Sequence, residues 1–154
     1  TSKCNDYLYN ICCFFMNKLF KIYSMRKINL VIIHESNVSR KEISFLLKKN
    51  FPLINIVGSY NTISSDLLKS FKNNPDLFLI SSKVDFSLHT DFIKKVKSNA
   101  DFILLINDNI DAFIGFKFNA IDVIDSPYTL EKLLISINKY YLKFFIKLNK
   151  NFML

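Results

Sequence analysis

The sequence predicts an α/β fold, a doubly wound parallel sheet of five strands with helices on both faces. Short apolar runs alternate with longer segments whose apolar residues recur at helical spacing, which is the pattern of consecutive strand–helix units. The apolar runs contain almost no polar residues, as expected of strands that are buried on both faces. The 154 residues suffice for one domain with a full core, and the two glycines and three prolines are too few for the many tight turns of a β-sandwich.

Apolar runs and capping residues mark the first two strand–helix units. Residues 28–33 form a continuous run rich in β-branched side chains, which predicts the first strand. The sequence SRKE that begins at Ser39 matches the capping-box pattern, so the first helix is expected to start there. Residues 53–57 predict the second strand, which Gly58 is expected to end, and Asn61 is expected to cap the second helix.

The remaining three units follow from the same two patterns. In the third helix, Phe92, Ile93 and Val96 are expected to face inward, with the intervening lysines in solvent. Pro127 ends the connection before the last helix. The predicted elements are strands at 77–81, 102–106 and 122–124, and helices around 92–97, at 110–118 and at 129–149.

The net charge and the positions of the cysteines limit the class of protein to which this chain can belong. Isoleucine, phenylalanine, asparagine and lysine are over-used together, as in AT-rich coding sequences, so we attribute part of the net charge of +8 to base composition. All three cysteines lie within the first thirteen residues. No disulfide or cysteine-based metal framework is therefore expected in the body of the chain, which favours a reducing cytoplasm.

Residues 1–24 are predicted to be a leader or extension, disordered or non-native, ahead of a domain at 25–149 and a short tail at 150–154. The sequence MRKINLVII from Met25 reads as a protein start. The apolar run in the leader is too short to span a membrane, and no small-residue cleavage site follows it. The alternative is an interfacial helix that contacts a membrane, an interpretation we favour less.

Two segments carry a resemblance to a known family. Residues 112–140, AFIGFKFNAIDVIDSPYTLEKLLISINKY, resemble the response-regulator receiver domains that precede LytTR-type DNA-binding domains. Residues 74–77, NPDL, resemble the start of the third strand in those domains, and Arg40 stands where that subfamily often has arginine. The resemblance covers residues 26–140. It implies a flavodoxin-like, CheY-like fold with strand order 2-1-3-4-5, in a cytoplasmic two-component, phosphorelay signalling protein.

The resemblance also locates the five positions of the family's phosphoryl-transfer chemistry. In the family, two acidic residues bind Mg²⁺, an aspartate accepts the phosphoryl group, and a hydroxyl and a lysine contact its oxygens. Matched in that order, the positions here are His34 and Glu35, Ser81, Ile106 and Ser126, and the aromatic switch position is Val123. Only Glu35 keeps the family's type of side chain.

These replacements predict a degenerate phosphorylation site, and so a pseudo-receiver. Mg²⁺ prefers several oxygen ligands, so with one carboxylate its binding is expected to be weak or absent, and no cofactor is predicted. The sequence identifies no base beside Ser81, which is therefore predicted to cap its strand rather than act as a nucleophile. Ile106 cannot donate a hydrogen bond and Ser126 carries no charge, so no enzymatic activity is predicted.

The two histidines offer further candidate sites. His34 could join Glu35 and Asp108 or Asp125 in a zinc site, but the sequence lacks the spacing of such sites. A solvent-facing His34 is the favoured interpretation, and beside Glu35 it could also titrate near neutral pH and act as a pH-sensitive contact. His89 is predicted to be solvated.

The last helix is the predicted interaction surface. It has more apolar residues than one packing face needs, and no acidic residue follows Lys132. A solvated lysine face, a linker and a membrane-binding tail are the alternatives. We expect a homodimer or a protein partner through the last strand and helix, and no direct nucleic-acid binding, because no arginine-rich recognition helix accompanies the lysines. The predicted face comprises Lys139, Tyr140, Lys143, Phe144 and Lys147.

The favoured function is therefore a phosphorylation-independent protein-interaction or regulatory module. The alternative is a LytTR-type transcription regulator whose DNA-binding output domain is missing after residue 154. A small enzyme on the same fold would need an acid–base set at the strand ends, which the sequence does not provide.

Overall fold

The computed structural model of the protein describes residues 27–85 and 89–152, which form a five-stranded parallel sheet between two layers of helices. The strand order is β2-β1-β3-β4-β5, as predicted. The strands are β1 (Ile28–Ile33), β2 (Ile54–Tyr60), β3 (Leu77–Ser81), β4 (Asp101–Ile106) and β5 (Asp122–Asp125). The α-helices are α1 (Asn37–Asn50), α2 (Ser65–Ser70), α3 (Thr90–Asn99), α4 (Ala112–Lys117) and α5 (Leu130–Phe152), with short 3₁₀ helices at Phe71–Asn73 and Asn109–Asp111.

The predicted leader at 1–24, with its possible membrane contact, lies outside the described residues. The predicted domain end at 149 falls within α5, which continues to Phe152. No helix in the two described ranges is both long enough and apolar enough to cross a bilayer.

Two apolar cores, one on each face of the sheet, hold the layers together. Alternate residues of a strand enter opposite cores, so Leu30 and Ile32 pack towards α1 and α5 whereas Val31 and Ile33 pack towards α2 and α3. Every residue of β3 is buried, which confirms the prediction of a central strand covered on both sides. In α3, the three apolar residues predicted to face inward are also buried.

The first helix begins three residues before its predicted start. Ser36, not Ser39, is the N-cap residue, and its Oγ accepts a hydrogen bond of 3.2 Å from the backbone N–H of Ser39. The capping-box interpretation was wrong because Ser36 already follows directly on the strand-end turn, so the helix forms as soon as the chain leaves the sheet.

The second strand runs on through the predicted stop at Gly58. The pairing of β1 with β2 shifts register between Leu30 and Val31, which face Ile56 and Gly58, so Val57 is an extra residue and β2 bulges there. A Cβ atom on Gly58 would lie 2.5 Å from Cε2 of Tyr60, so the glycine makes room for that ring rather than ending the strand.

The second helix starts later than predicted for the same reason. Because β2 extends to Tyr60, residues 61–64 are needed for the connection, and α2 begins at Ser65. Asn61 therefore does not cap this helix.

Replacing the capping serine tests the assignment of the first helix. Ser36→Ala is expected to lower the free energy of unfolding by about 1 kcal/mol, because it leaves a first-turn N–H without its acceptor. Urea denaturation followed by circular dichroism measures this loss. Ser39→Ala is the matched control and is expected to change stability by no more than about 0.5 kcal/mol. Equal losses in the two variants would contradict the assignment.

Candidate functional site

The carboxyl edge of the sheet gathers most of the predicted site residues. Parallel strands end at one edge, so the ends of β1 and β3 lie side by side there. His34, Glu35 and Ser81 are brought together at this point. Ile106 is buried with the core on the α3 side, and Ser126 is exposed, although its backbone N–H donates to the Ile106 carbonyl oxygen at 2.8 Å.

The hydroxyl of Ser81 is bonded to the carboxylate of Glu35. Ser81 is buried, and its Oγ donates to Oε2 of Glu35 at 2.7 Å while accepting from the backbone N–H of Lys83 at 3.2 Å. The expectation of a strand-end cap bonded to backbone or water is therefore incomplete, because the main partner is a carboxylate. The sequence contained a signal for this pair. A glutamate follows β1 and a serine ends β3, and these two strands are parallel neighbours.

A second hydroxyl–carboxylate pair lies next to the first. Ser82 is also buried, and its Oγ donates to Oδ2 of Asp111 at 2.7 Å. Asp111 belongs to the short 3₁₀ helix that precedes α4, and sequence reasoning missed it. The hydroxyls at the end of β3 are thus both engaged with carboxylates of the same chain.

The predicted solvent-facing position of His34 is wrong. Its side chain is only 2% exposed, and its ring packs edge-on against Tyr128 at a centroid distance of 5.6 Å. Tyr128 follows Pro127 in the connection to α5 and covers the histidine from a distance of 94 residues along the chain.

The hydrogen bonds around His34 fix its tautomer. Nδ1 accepts from the backbone N–H of Ser36 at 3.0 Å, so the proton of the neutral ring is on Nε2. Nε2–H then donates to the Tyr128 hydroxyl oxygen at 3.1 Å, and that hydroxyl donates to Oδ1 of Asn107 at 3.2 Å. One directed chain of hydrogen bonds therefore joins the end of β1, the β5–α5 connection and the end of β4.

Burial keeps the side chains of this hydrogen-bond series in their neutral forms. Removal from water is the largest effect on the His34 imidazole and lowers its pKa; the Glu35 carboxylate acts in the opposite sense, and the Arg40 guanidinium adds to the lowering. Burial also raises the pKa of Tyr128 to about 12, with further contributions from Glu35 and Asp125. The phenol therefore remains a hydrogen-bond donor at neutral pH.

Arg40 fixes the turn that carries His34 and Glu35. Its guanidinium donates to the carbonyl oxygen of His34 at 2.5 Å and to that of Glu35 at 3.3 Å. A second nitrogen donates to Oδ1 of Asn37 at 3.3 Å. The arginine that contributed to the family resemblance thus has a structural role at the site.

The alternative zinc site is not formed. Within residues 27–85 and 89–152, no three His, Cys, Asp or Glu side chains group closely enough to hold a metal ion. Asp125 is instead paired with Lys132, at 3.0 Å between Oδ2 and Nζ. His89 is half-buried at the start of α3, where its side chain makes no capping hydrogen bond.

The switch position, Val123, packs under α4. A Cβ atom on Gly115 would lie 2.6 Å from Cγ2 of Val123, so the glycine permits the close approach of the helix to β5. Val123 belongs to the core on the α3 side of the sheet.

The predicted interaction face on α5 is turned partly towards the protein body. Tyr140 is buried, while Lys139 and Lys143 form ion pairs with Asp122 at 2.8 Å and Asp101 at 2.5 Å. The side chains of Lys139 and Lys143 are nevertheless about half exposed, and Lys147 is exposed. Among the α5 side chains that the structure describes, the exposed large apolar residues are Leu130, Leu134, Ile135, Leu142 and Ile146.

Comparison with known proteins rests on structure alone. Neither a sequence model of a protein family nor a curated protein sequence matches this chain. The response regulatory domain of mrkE from Klebsiella pneumoniae superposes with a TM-score of 0.63 at 20% identity, over 75% of this chain and 97% of that domain. The receiver domain of a modulated diguanylate cyclase from Desulfovibrio desulfuricans G20 gives a TM-score of 0.65 at 12% identity, over 79% and 98%.

A third similar structure is the complex of CheY6 with the P1 domain of CheA3 from R. sphaeroides. Its TM-score is 0.62 at 16% identity, over 75% of this chain and 97% of the matched chain. At these identities the likeness establishes the fold. The chain therefore has the flavodoxin-like fold of CheY-type response-regulator receiver domains, as the sequence predicted.

The buried histidine gives the domain a pH-dependent stability. Because the pKa of folded His34 lies below its ordinary value of 6.5, the unfolded chain binds the proton first as the pH falls. Stability is therefore expected to decrease from about pH 7.5 to about pH 5.5, and His34→Gln is expected to reduce this dependence. Urea midpoints measured across this range provide the test.

The other histidine supplies the matched control. His89→Gln removes a half-buried imidazole that is not a member of the hydrogen-bond chain from His34 to Asn107, and it is expected to leave in place the pH dependence that His34 causes. Equal pH dependence in the original chain and in His34→Gln would contradict the role of His34.

Proposed function

We propose that this chain is a pseudo-receiver, a receiver-fold domain that acts as a protein-interaction module without accepting a phosphoryl group. The observation that carries the proposal is the 2.7 Å hydrogen bond between Ser81 and Glu35. This bond links Ser81, at the position that resembles the family's phosphoryl acceptor, to Glu35, the one carboxylate kept at the positions that resemble the family's metal site. The Ser81 hydroxyl is therefore engaged, and Glu35, whose side chain is 44% exposed, is a single carboxylate where the family has several acidic groups.

The first requirement of the family's chemistry is a bound metal ion. Mg²⁺ needs near-octahedral oxygen coordination, usually with one or two carboxylates and further oxygens. Here Glu35 already accepts from Ser81, and His34, whose imidazole suits softer metals, is turned inward towards Tyr128. We therefore propose that Mg²⁺ binding is weak or absent and that no other cofactor is used.

The phosphoryl contacts are the second requirement. Phosphoryl transfer depends on positioning and on the stabilisation of charge at the oxygens. Ile106 offers an apolar side chain that is buried in the core, and Ser126 has no positive charge to offer. This supports the proposal that the chain is not an enzyme and does not phosphorylate itself from small donors.

A fixed conformation is the functional consequence of this arrangement. The hydrogen bonds from His34 through Tyr128 to Asn107 join three segments of the edge without any added group. We propose that these bonds hold the domain in one state, which a partner protein recognises in the cytoplasm. The alternative is that the domain positions a LytTR-type DNA-binding output domain, in which case the same edge would bias that domain's orientation.

The apolar line on α5 is the proposed partner surface, and a second copy of this chain is its proposed occupant. Ile135, Leu142 and Ile146 are separated by seven and four residues, so they fall on one side of the helix, and each is about half exposed. The lysines nearby at 132, 139 and 143 are paired with aspartates of their own chain. This pairing lowers the repulsion between two copies that meet along this face.

A phosphotransfer assay tests the proposed loss of chemistry. Incubation of the chain with radiolabelled acetyl phosphate and Mg²⁺ is expected to leave no label on the protein, because both the acceptor and the charge-stabilising groups are replaced. Ser81→Asp is expected to remain unlabelled too, since Ile106 and Ser126 are unchanged. A functional receiver domain assayed in parallel shows that the donor is active. Stoichiometric labelling of the unaltered chain would overturn the proposal.

The oligomeric state tests the proposed partner surface. Sedimentation analysis is expected to show a concentration-dependent dimer, and the double variant Ile135→Glu, Leu142→Glu is expected to be monomeric, because charges then replace the apolar contact. Val38→Glu, at an exposed apolar position on α1, is the control and should leave the dimer intact. A monomer at all concentrations, or equal disruption by the control, would exclude this surface as a homodimer interface.

A further inference from the structure

A cavity of about 600 Å³ lies at the amino edge of the sheet, at the opposite end of the strands from the candidate site. Its walls are the end of α3, the segment at the start of β3 and β4, and the second half of α5. This volume is within the range of pockets that bind small molecules, about 300–1,000 Å³. The charged side chains that line the cavity are Asp76, Asp101, Lys97, Lys143, Lys147 and Lys150.

Of the three α5 lysines that line the cavity, Lys143 is paired with a carboxylate, whereas Lys147 and Lys150 are not, among the residues that the structure describes. Lys132, Lys139 and Lys143 each form an ion pair with an aspartate at the start or end of a strand. In the described parts of the chain, Lys147 and Lys150 have no such carboxylate partner, although they follow on the same side of the helix.

Lys97 brings a third ammonium group from the opposite wall, at the end of α3, and it too has no carboxylate partner within residues 27–85 and 89–152. The two carboxylates of the lining are already engaged, since Asp101 pairs with Lys143 and Asp76 accepts from the backbone N–H of Asn29 at 2.9 Å. The lining therefore carries two more positive than negative charges. Like charges that converge on a concave surface repel one another unless an anion lies between them.

The cavity also has an aromatic wall. Phe144 lies over Tyr140 with ring centroids 6.5 Å apart and an angle of 23° between the ring planes. Tyr140 is buried, whereas Phe144 is only partly covered, so it offers an apolar surface next to the lysines. Ammonium groups bind phosphate as point charges, whereas planar carboxylates are better matched by the guanidinium fork of arginine, and no arginine lines this cavity.

We propose that this cavity binds a small polyphosphate anion of nucleotide size. The phosphates would lie between Lys97 and the pair Lys147 and Lys150, and the planar group would lie against Phe144. Binding at this site does not depend on the carboxyl edge of the sheet, so it is independent of the proposed loss of phosphoryl transfer.

Calorimetric titration of the full chain with ATP and with inorganic tripolyphosphate, without Mg²⁺, tests the site. Both probes are expected to bind saturably at one site, with an affinity that falls as salt is added. Lys97→Gln and Lys147→Gln are each expected to weaken binding roughly tenfold, because each removes a charged contact to phosphate. Lys94→Gln makes the same charge change on α3 outside the cavity and is expected to have no effect.

The aromatic wall is tested with Phe144→Leu, which keeps an apolar side chain. This variant is expected to weaken ATP about threefold or more and to leave tripolyphosphate unchanged. Three results would overturn the proposal: no binding of either probe, equal weakening by Lys94→Gln, or tighter binding of an oligoglutamate peptide than of ATP. The last result would identify the cavity as a groove for acidic peptides.

Discussion

The fold must provide hydrogen-bond partners for the polar groups that are buried at the carboxyl edge of the sheet. His34, Ser81 and Ser82 are all buried there, and a buried polar atom without a partner destabilises the fold by about 1–3 kcal/mol. The chain supplies every main partner itself: Glu35 for Ser81, Asp111 for Ser82, and Ser36 with Tyr128 for His34. Each of these buried groups therefore has a hydrogen-bond partner within the described part of the chain.

The same hydrogen bonds connect segments that are far apart in the sequence. Tyr128 reaches from the β5–α5 connection to the ends of β1 and β4, and Arg40 ties the start of α1 to the backbone of the β1 turn. Movement of the β5–α5 connection would break a buried bond at each of these ends. In our account, this network holds the domain in the conformation that its partner recognises.

The sequence predicted the elements that depend on local pattern and missed those that depend on distant partners. The strand at 77–81 was predicted to the residue because apolar runs between polar flanks are local signals. The start of α1 and the length of β2 were wrong because Ser36 competes with Ser39 as a cap, and because Gly58 serves the ring of Tyr60. His34 was placed in solvent because nothing near it in sequence reveals that Tyr128 covers it.

The candidate site was likewise predicted only as a set of positions. The resemblance located His34, Glu35, Ser81, Ile106 and Ser126 along the chain, but the bond between Ser81 and Glu35 depends on the register of β1 against β3. Asp111 and Asn107 were missed because each acts through one side-chain bond to a residue on another segment. The cavity at the amino edge was missed because Lys97 and the α5 lysines meet only in the folded chain.

An amide NMR titration of the chain with Mg²⁺, followed by beryllofluoride as a mimic of the phosphoryl group, tests whether the carboxyl edge of the sheet retains phosphoryl chemistry. We expect the resonances of Glu35, Ser81 and Val123 not to move, because one carboxylate is too few to hold Mg²⁺ and the Ser81 hydroxyl is bonded to it. Saturable shifts at Glu35 and Ser81 that extend to Val123 would contradict the account and identify a working phosphorylation switch built from different residues.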